Sequence, residues 1–253
     1  MKKLVASVCL LGSNMVVAAD YQTFASLSYV NSDGSGYDGF VLDATHYFAP
    51  QTTGGVMDEF GFLDTDSKIY GQLNNLGPDE LVSLGGEYFV NQNFFINGAY
   101  ARYGDSNAHS LGLGYLLNDN LKLNLFRQDS DGADATYQVS ASYNHALSGY
   151  DYVGVTIGSD TDFDGQEIAA RYFTALTEQQ FLAIDASIQH TDYDDIFSAE
   201  ATYYFNPAMS VGVGVSDSEW LAKAKIFVDS NTALFASYAD GPQVFTVGVT
   251  GQY

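Results

Sequence analysis

The sequence predicts an all-β fold, an antiparallel up-and-down transmembrane β-barrel of about sixteen strands with fourteen as the alternative, and three observations lead there. Apolar and polar residues alternate with period two in segment after segment beyond residue 19. None of those segments is apolar for long enough to cross a bilayer as a helix, so a chain that spans one does so as a closed barrel. The third observation is the C-terminal run from Gln243 to Tyr253. Phe245, Val247, Val249, Gly251 and Tyr253 make an uncharged face, and Thr246, Gly248, Thr250 and Gln252 make the other. One face suits lipid and the other water.

Taken in order, the chain opens with Met1-Lys2-Lys3, an apolar stretch from Leu4 to Leu11, and Val17-Ala18-Ala19. This is the pattern of a secretory signal with a small-residue cleavage site, so residues 1–19 read as a signal peptide and residues 20–253 as the barrel. Cys9 sits too early, after Val8, to serve as a lipid attachment site. The mature chain then has no cysteine and no thiol chemistry. It carries seven basic against 31 acidic side chains, a net charge of −24, which excludes nucleic acid as a partner. With 19 Tyr and 17 Phe against 4 Pro and 4 Met in the full sequence, the composition favours strands.

Alternation is clearest over 134–145, where Ala135, Tyr137, Val139, Ala141 and Tyr143 interleave with Thr136, Gln138, Ser140, Ser142 and Asn144. Similar patterns predict strands near 20–31, 38–49, 66–76, 80–90, 93–103, 108–117, 120–129, 134–145, 149–158, 166–174, 180–190, 195–205, 208–217, 219–228, 231–239 and 243–253. Tight turns at Asn91-Gln-Asn93, Asn118-Asp-Asn120 and Asn206-Pro-Ala208 follow alternate strands, and the connections between them are acidic. Short turns are periplasmic in bacterial barrels, so both chain ends are expected there. Residues 50–67 alternate poorly, which is the source of the fourteen-strand alternative.

Aromatic pairs stand at the turn-proximal strand ends: Tyr47-Phe48, Tyr88-Phe89, Phe94-Phe95, Tyr172-Phe173 and Tyr203-Tyr204-Phe205. They read as an interfacial girdle. No soluble core is implied, because the apolar faces look outward.

Face assignment sends Asp43, Glu87, Glu167, Asp185 and Glu200 into the lumen with Lys68, Lys122, Arg171, Lys223 and Lys225. Charges this frequent imply water inside, either as opposed walls that orient polar solutes or as local ion pairs. Around the mouth lie Asp129, Asp131, Asp160, Asp162, Asp164, Asp192, Asp194 and Asp195. Such a crown attracts cations, although acidic loops also simply solubilise a surface or bind divalent ions against lipopolysaccharide. Asp160-Thr-Asp162-Phe-Asp164-Gly165 opens like a calcium loop, but Arg171 occupies the position of its bidentate Glu, and no metal site is assigned. Arg102 and Arg127 break the outward apolar pattern near the extracellular ends of their strands; there they meet lipid phosphates or snorkel to water.

His109 and His190 fall outward near the same rim, where a lipid-modifying enzyme would hold its base. No Gly-x-Ser-x-Gly motif and no nucleophile, base and acid set accompanies them, so neither catalysis nor a cofactor is expected.

With these features the chain resembles Gram-negative outer-membrane porins, most of all the compact porin families of gammaproteobacteria. The carrying features are the signal peptide, the hairpin series, the turn Phe205-Asn206-Pro207, and a terminal assembly signal in which Thr246, Gly248 and Tyr253 supply the polar residue, glycine and final aromatic. Gly251 departs from the usual hydrophobic residue, and Tyr253 from the usual Phe. The resemblance implies passive diffusion of ions and small hydrophilic solutes, insertion by the barrel-assembly machinery, contact with outer-membrane lipids and lipopolysaccharide, and often a homotrimer. The alternative is a closed-lumen barrel that modifies lipids or serves as a structural or adhesive surface protein. General porins narrow their lumen with an extracellular loop carrying Pro-Glu-Phe-Gly-Gly. Asp58-Glu59-Phe60-Gly61 echoes that motif on the periplasmic side, so residues 54–66 are expected to pack in or under the lumen.

Overall fold

The computed structural model describes residues 20–253 except 34, 35, 78, 192, 193 and 242; the predicted signal peptide and Asp192 lie outside the described residues. Sixteen strands follow one another: β1 (Asp20–Ser32), β2 (Tyr37–Thr52), β3 (Lys68–Leu76), β4 (Glu80–Phe89), β5 (Phe94–Tyr103), β6 (Ser106–Leu117), β7 (Leu121–Ser130), β8 (Thr136–Ala146), β9 (Tyr152–Asp160), β10 (Gln166–Ala175), β11 (Phe181–His190), β12 (Asp195–Asn206), β13 (Met209–Ser216), β14 (Glu219–Phe227), β15 (Thr232–Ala239) and β16 (Val244–Gln252). Each pairs antiparallel with its neighbours in sequence, and β16 pairs with β1 to close the barrel. The fourteen-strand alternative is excluded, because β2 continues to Thr52 and only residues 53–67 are irregular.

The seam is set by alternation. Leu27 faces Val249 and Tyr29 faces Val247 on the lipid side, while Ser26 faces Thr250 and Ser28 faces Gly248 inside. A one-residue slip would turn the apolar set inward, which fixes the register. The last residue completes the closure. The Tyr253 carbonyl accepts hydrogen bonds from the Gln22 and Thr23 amides at 2.6 and 2.7 Å, and its own amide donates to the Thr23 carbonyl at 2.8 Å. At Gly248 a Cβ would run into the Phe235 ring and come within 2.7 Å of the Leu27 carbonyl, so the position has room for nothing larger.

The aromatic pairs divide, and this corrects the girdle. Phe48, Tyr88 and Phe94 are exposed on the outside, as an interfacial ring requires. Their neighbours turn inward: Phe95 is 1% exposed and Phe173 is fully buried, with Tyr204 close behind. Adjacent residues on a strand point to opposite faces, so a pair of aromatics always supplies one to each side. Some of the inward members gather in an apolar cluster inside the barrel. Val56, Tyr152, Phe173, Phe181, Ala183 and Tyr204 form it, with Phe62 packed against it.

Candidate pore and the segment that fills it

What covers Phe173 and Tyr204 is the connection between β2 and β3, whose Val56 belongs to their cluster, while Phe95 is buried against Phe89 and Lys122. Residues 53–67 leave the end of β2 that lies beside the chain termini, enter the lumen and return to β3, as expected for residues 54–66. Gly55 and Gly61 have φ of +89° and +92°, the left-handed conformation that glycine adopts without steric cost, and they permit the two reversals. The Gly54 amide donates to the Glu59 carbonyl at 2.6 Å and the Gly61 amide to Glu59 Oε1 at 3.1 Å, which closes the segment on itself.

Three kinds of contact hold it. Apolar anchors come first: Val56 is fully buried in the core above, and Met57 packs with Phe227 and Ala233. Phe60 meets Phe24 at 4.9 Å and Tyr21 at 6.1 Å between ring centroids. Phe62 lies over Gly154, where a Cβ would occupy the space of its ring. Backbone bonds come second, with the Met57 amide on the Pro207 carbonyl at 2.9 Å and Gln252 Nε2 on the Met57 carbonyl at 3.2 Å. Ion pairs complete the set. Asp58 meets Lys225 at 3.0 Å, Glu59 meets Arg171 at 2.7 Å, and Asp64 meets Lys68. Lys122 adds a bond to the Asp64 carbonyl at 2.8 Å.

The electrostatics of Asp64 follow from this. Burial alone would raise its carboxyl, but the charge and hydrogen bond of Lys68, the Tyr47 hydroxyl and the charge of Lys122 outweigh it and hold the group below the usual carboxylate range.

All five predicted inward bases have carboxylate partners. Lys68, Arg171 and Lys225 bind the segment, Lys122 pairs with Glu87 at 2.6 Å, Lys223 pairs with Glu200, and Arg171 also reaches Asp185 at 3.1 Å. The charges form local pairs rather than opposed walls. Asp43 accepts from Ser26 Oγ at 3.2 Å and Gln72 Nε2 at 2.8 Å, and among the described residues neither it nor Glu167 has a basic partner. On the side of the segment away from the chain termini a cavity of about 710 Å³ remains, walled by Glu167, Asp185, Ser187, Ser198 and Glu200 and floored by Asp58, Phe60, Phe62 and Asp64.

The predicted mouth is more dispersed. Asp129 stands on the outward face, paired with Arg127 at 2.6 Å, and Asp195 pairs outward with His190, so neither surrounds the opening. Asp160 caps its own turn, accepting from the Asp164 and Gly165 amides at 2.9 and 2.8 Å; that turn is the reason for the calcium-like spacing. Asp131 accepts the backbone and side-chain N–H groups of Asn107, both at 2.9 Å, and those bonds lower its pKa. Asp194 accepts the Asp195 amide at 2.9 Å, and Asp162 lies in the same β9–β10 turn.

Asp58, Glu59 and Asp64 escaped the site assignment made from sequence. Their signal was an acidic run with two positive-φ glycines in a long connection at the end where turns are short.

Against known proteins, the family model described as "Putative general bacterial porin" matches residues 1–245. The chain belongs to this porin family. Its members are typically non-enzymatic channels of the bacterial outer membrane. No curated protein matches the sequence significantly. Among solved structures this porin is similar to the Acinetobacter baumannii outer membrane protein Omp33, at 14% identity and a TM-score of 0.60, over 92% of this chain and 99% of that one. It is also similar to a triple mutant of the Rhodopseudomonas blastica porin, at 11% identity and a TM-score of 0.52, over 94% of this chain and 100% of that one. At these identities the likeness is one of fold.

Proposed function

We propose that this porin conducts ions and small hydrophilic solutes passively, prefers cations, and passes little current while residues 53–67 are docked. The observation that carries the reading is the charge balance around the docked segment. Every inward base is matched by a carboxylate, while Asp43 and Glu167 are left over, so the field along the path is negative. The segment lies across the path at its periplasmic end, held by side chains that exchange their partners for water if it leaves. The reading includes export with removal of residues 1–19, and insertion by the barrel-assembly machinery through Thr246, Gly248 and Tyr253. It also includes contact with lipopolysaccharide, and it is compatible with a homotrimer.

Single-channel recording in a planar bilayer under a salt gradient tests it, comparing the mature barrel with a variant lacking residues 54–66. Small steps with a cation-directed reversal potential, growing several-fold in the deletion, are the expected result. Silence from both correctly folded proteins would favour the closed-barrel reading, as a structural or lipid-modifying surface protein.

A further inference from the structure

Two side chains of the docked segment together have the chemistry of a small molecule. The Glu59 amide donates to the Val56 carbonyl at 3.3 Å, so the two residues open and close a tight turn with their Cα atoms within about 7 Å. Val56 and Glu59 are both buried, and most of what encloses them belongs to the wall. Val56 lies among Tyr152 of β9, Phe173 of β10, Phe181 and Ala183 of β11 and Tyr204 of β12, where the Phe173 ring stacks on Tyr152 and Phe181 at 5.8 and 5.7 Å between centroids. The Glu59 carboxylate accepts from the Tyr152 hydroxyl at 2.8 Å and from Arg171 Nη2 at 2.7 Å. An aromatic box beside a guanidinium and a phenol hydroxyl suits a carboxylate with an apolar body. Paired strands hold these groups in place, so the seat does not depend on its present occupant.

Arg171 shows that this occupant fits incompletely. Its Nη1 donates to Asp185 at 3.1 Å and its Nη2 to Glu59, while its Nε is buried and has no partner among the described residues. Nε and Nη2 lie on one edge of the guanidinium, an edge that a carboxylate grips with two parallel hydrogen bonds. The second Glu59 oxygen is turned away from that edge, held by the Tyr152 hydroxyl and by the Gly61 amide at 3.1 Å. A free carboxylate is not bound to the backbone of a turn. It satisfies Nε and Nη2 together and removes the cost of a buried donor left unpaired.

We propose that the seat of Val56 and Glu59 is a binding site for a small monocarboxylate with a branched or aromatic apolar body, which competes with the segment for the Arg171 fork and the aromatic box. Its consequence rests on the channel reading: a bound carboxylate keeps the segment undocked and the path open. The charge of the lumen admits such an anion once the segment moves. Asp58, Glu59, Asp64 and Asp66 leave with it, and the face assignment then sets five inward bases against five inward acids. Lys225, released from Asp58, adds a free positive charge nearby. Because the segment is tethered, it competes at an effective concentration in about the millimolar range, and a free ligand acts at similar concentration.

The test is equilibrium dialysis of the mature barrel in nonionic detergent against radiolabelled 4-methylpentanoate, with protein-free micelles as the blank and acetate and 4-methylpentanamide for comparison. Saturable binding of one carboxylate per barrel is expected, at least tenfold weaker for acetate and for the amide. V56A/E59A weakens the tethered competitor and leaves the wall intact, so it should bind at least fivefold more tightly than the parent. Adding R171Q to it should weaken binding at least tenfold. Single-channel steps of the parent should grow toward those of the deletion lacking residues 54–66 as 4-methylpentanoate is added, and not with acetate. Binding by V56A/E59A no tighter than that of the parent overturns the proposal, as does equal binding of acetate or equal binding after R171Q. Saturation without any growth of the steps, in a barrel whose deletion variant conducts, also overturns it. Heat-modifiable gel migration reports folding; if the R171Q form does not fold, R171K, which keeps the charge and loses the fork, decides on the same criteria. Dialysis reads the site whether or not the barrel conducts, so silence from the parent and the deletion alike overturns the channel reading while binding still decides on the site.

Discussion

Glu59 Oε2 and Arg171 Nη2 meet at 2.7 Å across 112 residues of sequence, and the other oxygen of the same carboxylate accepts the Tyr152 hydroxyl at 2.8 Å. Glu59 is 4% exposed, so it depends on these partners for its charge. Removing one partner of a buried pair costs about 3–5 kcal/mol. The Arg171 side chain is 28% exposed, which brings the expected cost of R171Q down to about 2–3 kcal/mol of docking. Single-channel steps in R171Q should grow toward those of the deletion lacking residues 54–66. K223Q breaks a pair between two wall strands and should leave step size near that of the parent.

Gly154 gives a test that involves no charge. A Cβ there takes the space of the Phe62 ring, and overpacking of this kind costs about 1–3 kcal/mol. Because Phe62 belongs to the segment and not to a strand, G154A should raise conductance while the thermal unfolding of the barrel stays nearly unchanged. A fall in unfolding temperature without a change in conductance would mean that the strand, not the segment, absorbs the strain.

Acid should release the segment. The groups acting on Asp64 are Lys68 from β3 and Lys122 from β7, with the Tyr47 hydroxyl from β2, and Lys122 is itself paired with Glu87 from β4. The Asp64 carboxyl is held below the usual range, so its contribution to docking is complete above the ordinary carboxylate pKa of about 4 and disappears as pH falls through the depressed value. Conductance measured from pH 7 downward should be flat and then rise in the acid range. In D64N steps should be larger already at neutral pH, and the part of the acid rise due to this group should be absent.

The closing strand separates two glycines that look alike in the sequence. A valine at Gly248 meets Phe235 and the Leu27 carbonyl inside the barrel, whereas at Gly251, on the outward face, a Cβ comes within 2.8 Å of the far edge of the exposed Tyr253 ring, a side chain free to turn away. G248V should lower the folded fraction on heat-modifiability gels, by about 1–3 kcal/mol of overpacking. G251V should fold as the parent does.

Period-two alternation made the strands legible to within a few residues, from β8 with its Tyr137, Val139 and Tyr143 to the seam residues of β16. It also gave the inward face of Lys68, Lys122, Arg171, Lys223 and Lys225. Alternation assigns a side chain to a face but does not say what lies opposite, so Phe173 read as interfacial although Val56 of the segment packs in its cluster. The partners of Glu59 come from β9 and β10, and that of Asp58 from β14. No local pattern encodes pairings of such long range. Asp129 is a different case: it lies two residues from Arg127 on β7 and so shares its outward face, which alternation encodes and nearness to the loop obscured.

Because Phe60 rests on Tyr21 and Phe24 of β1 while the Met57 carbonyl is held by Gln252 of β16, the segment finds its complete seat only when first and last strands have met. An assembly intermediate with an open seam therefore presents bare inner aromatics to the periplasm, the kind of surface that chaperones engage. Docking of the segment is thereby coupled to closure of the seam, and a barrel stalled short of closure leaves the seat of Phe60 and Met57 incomplete.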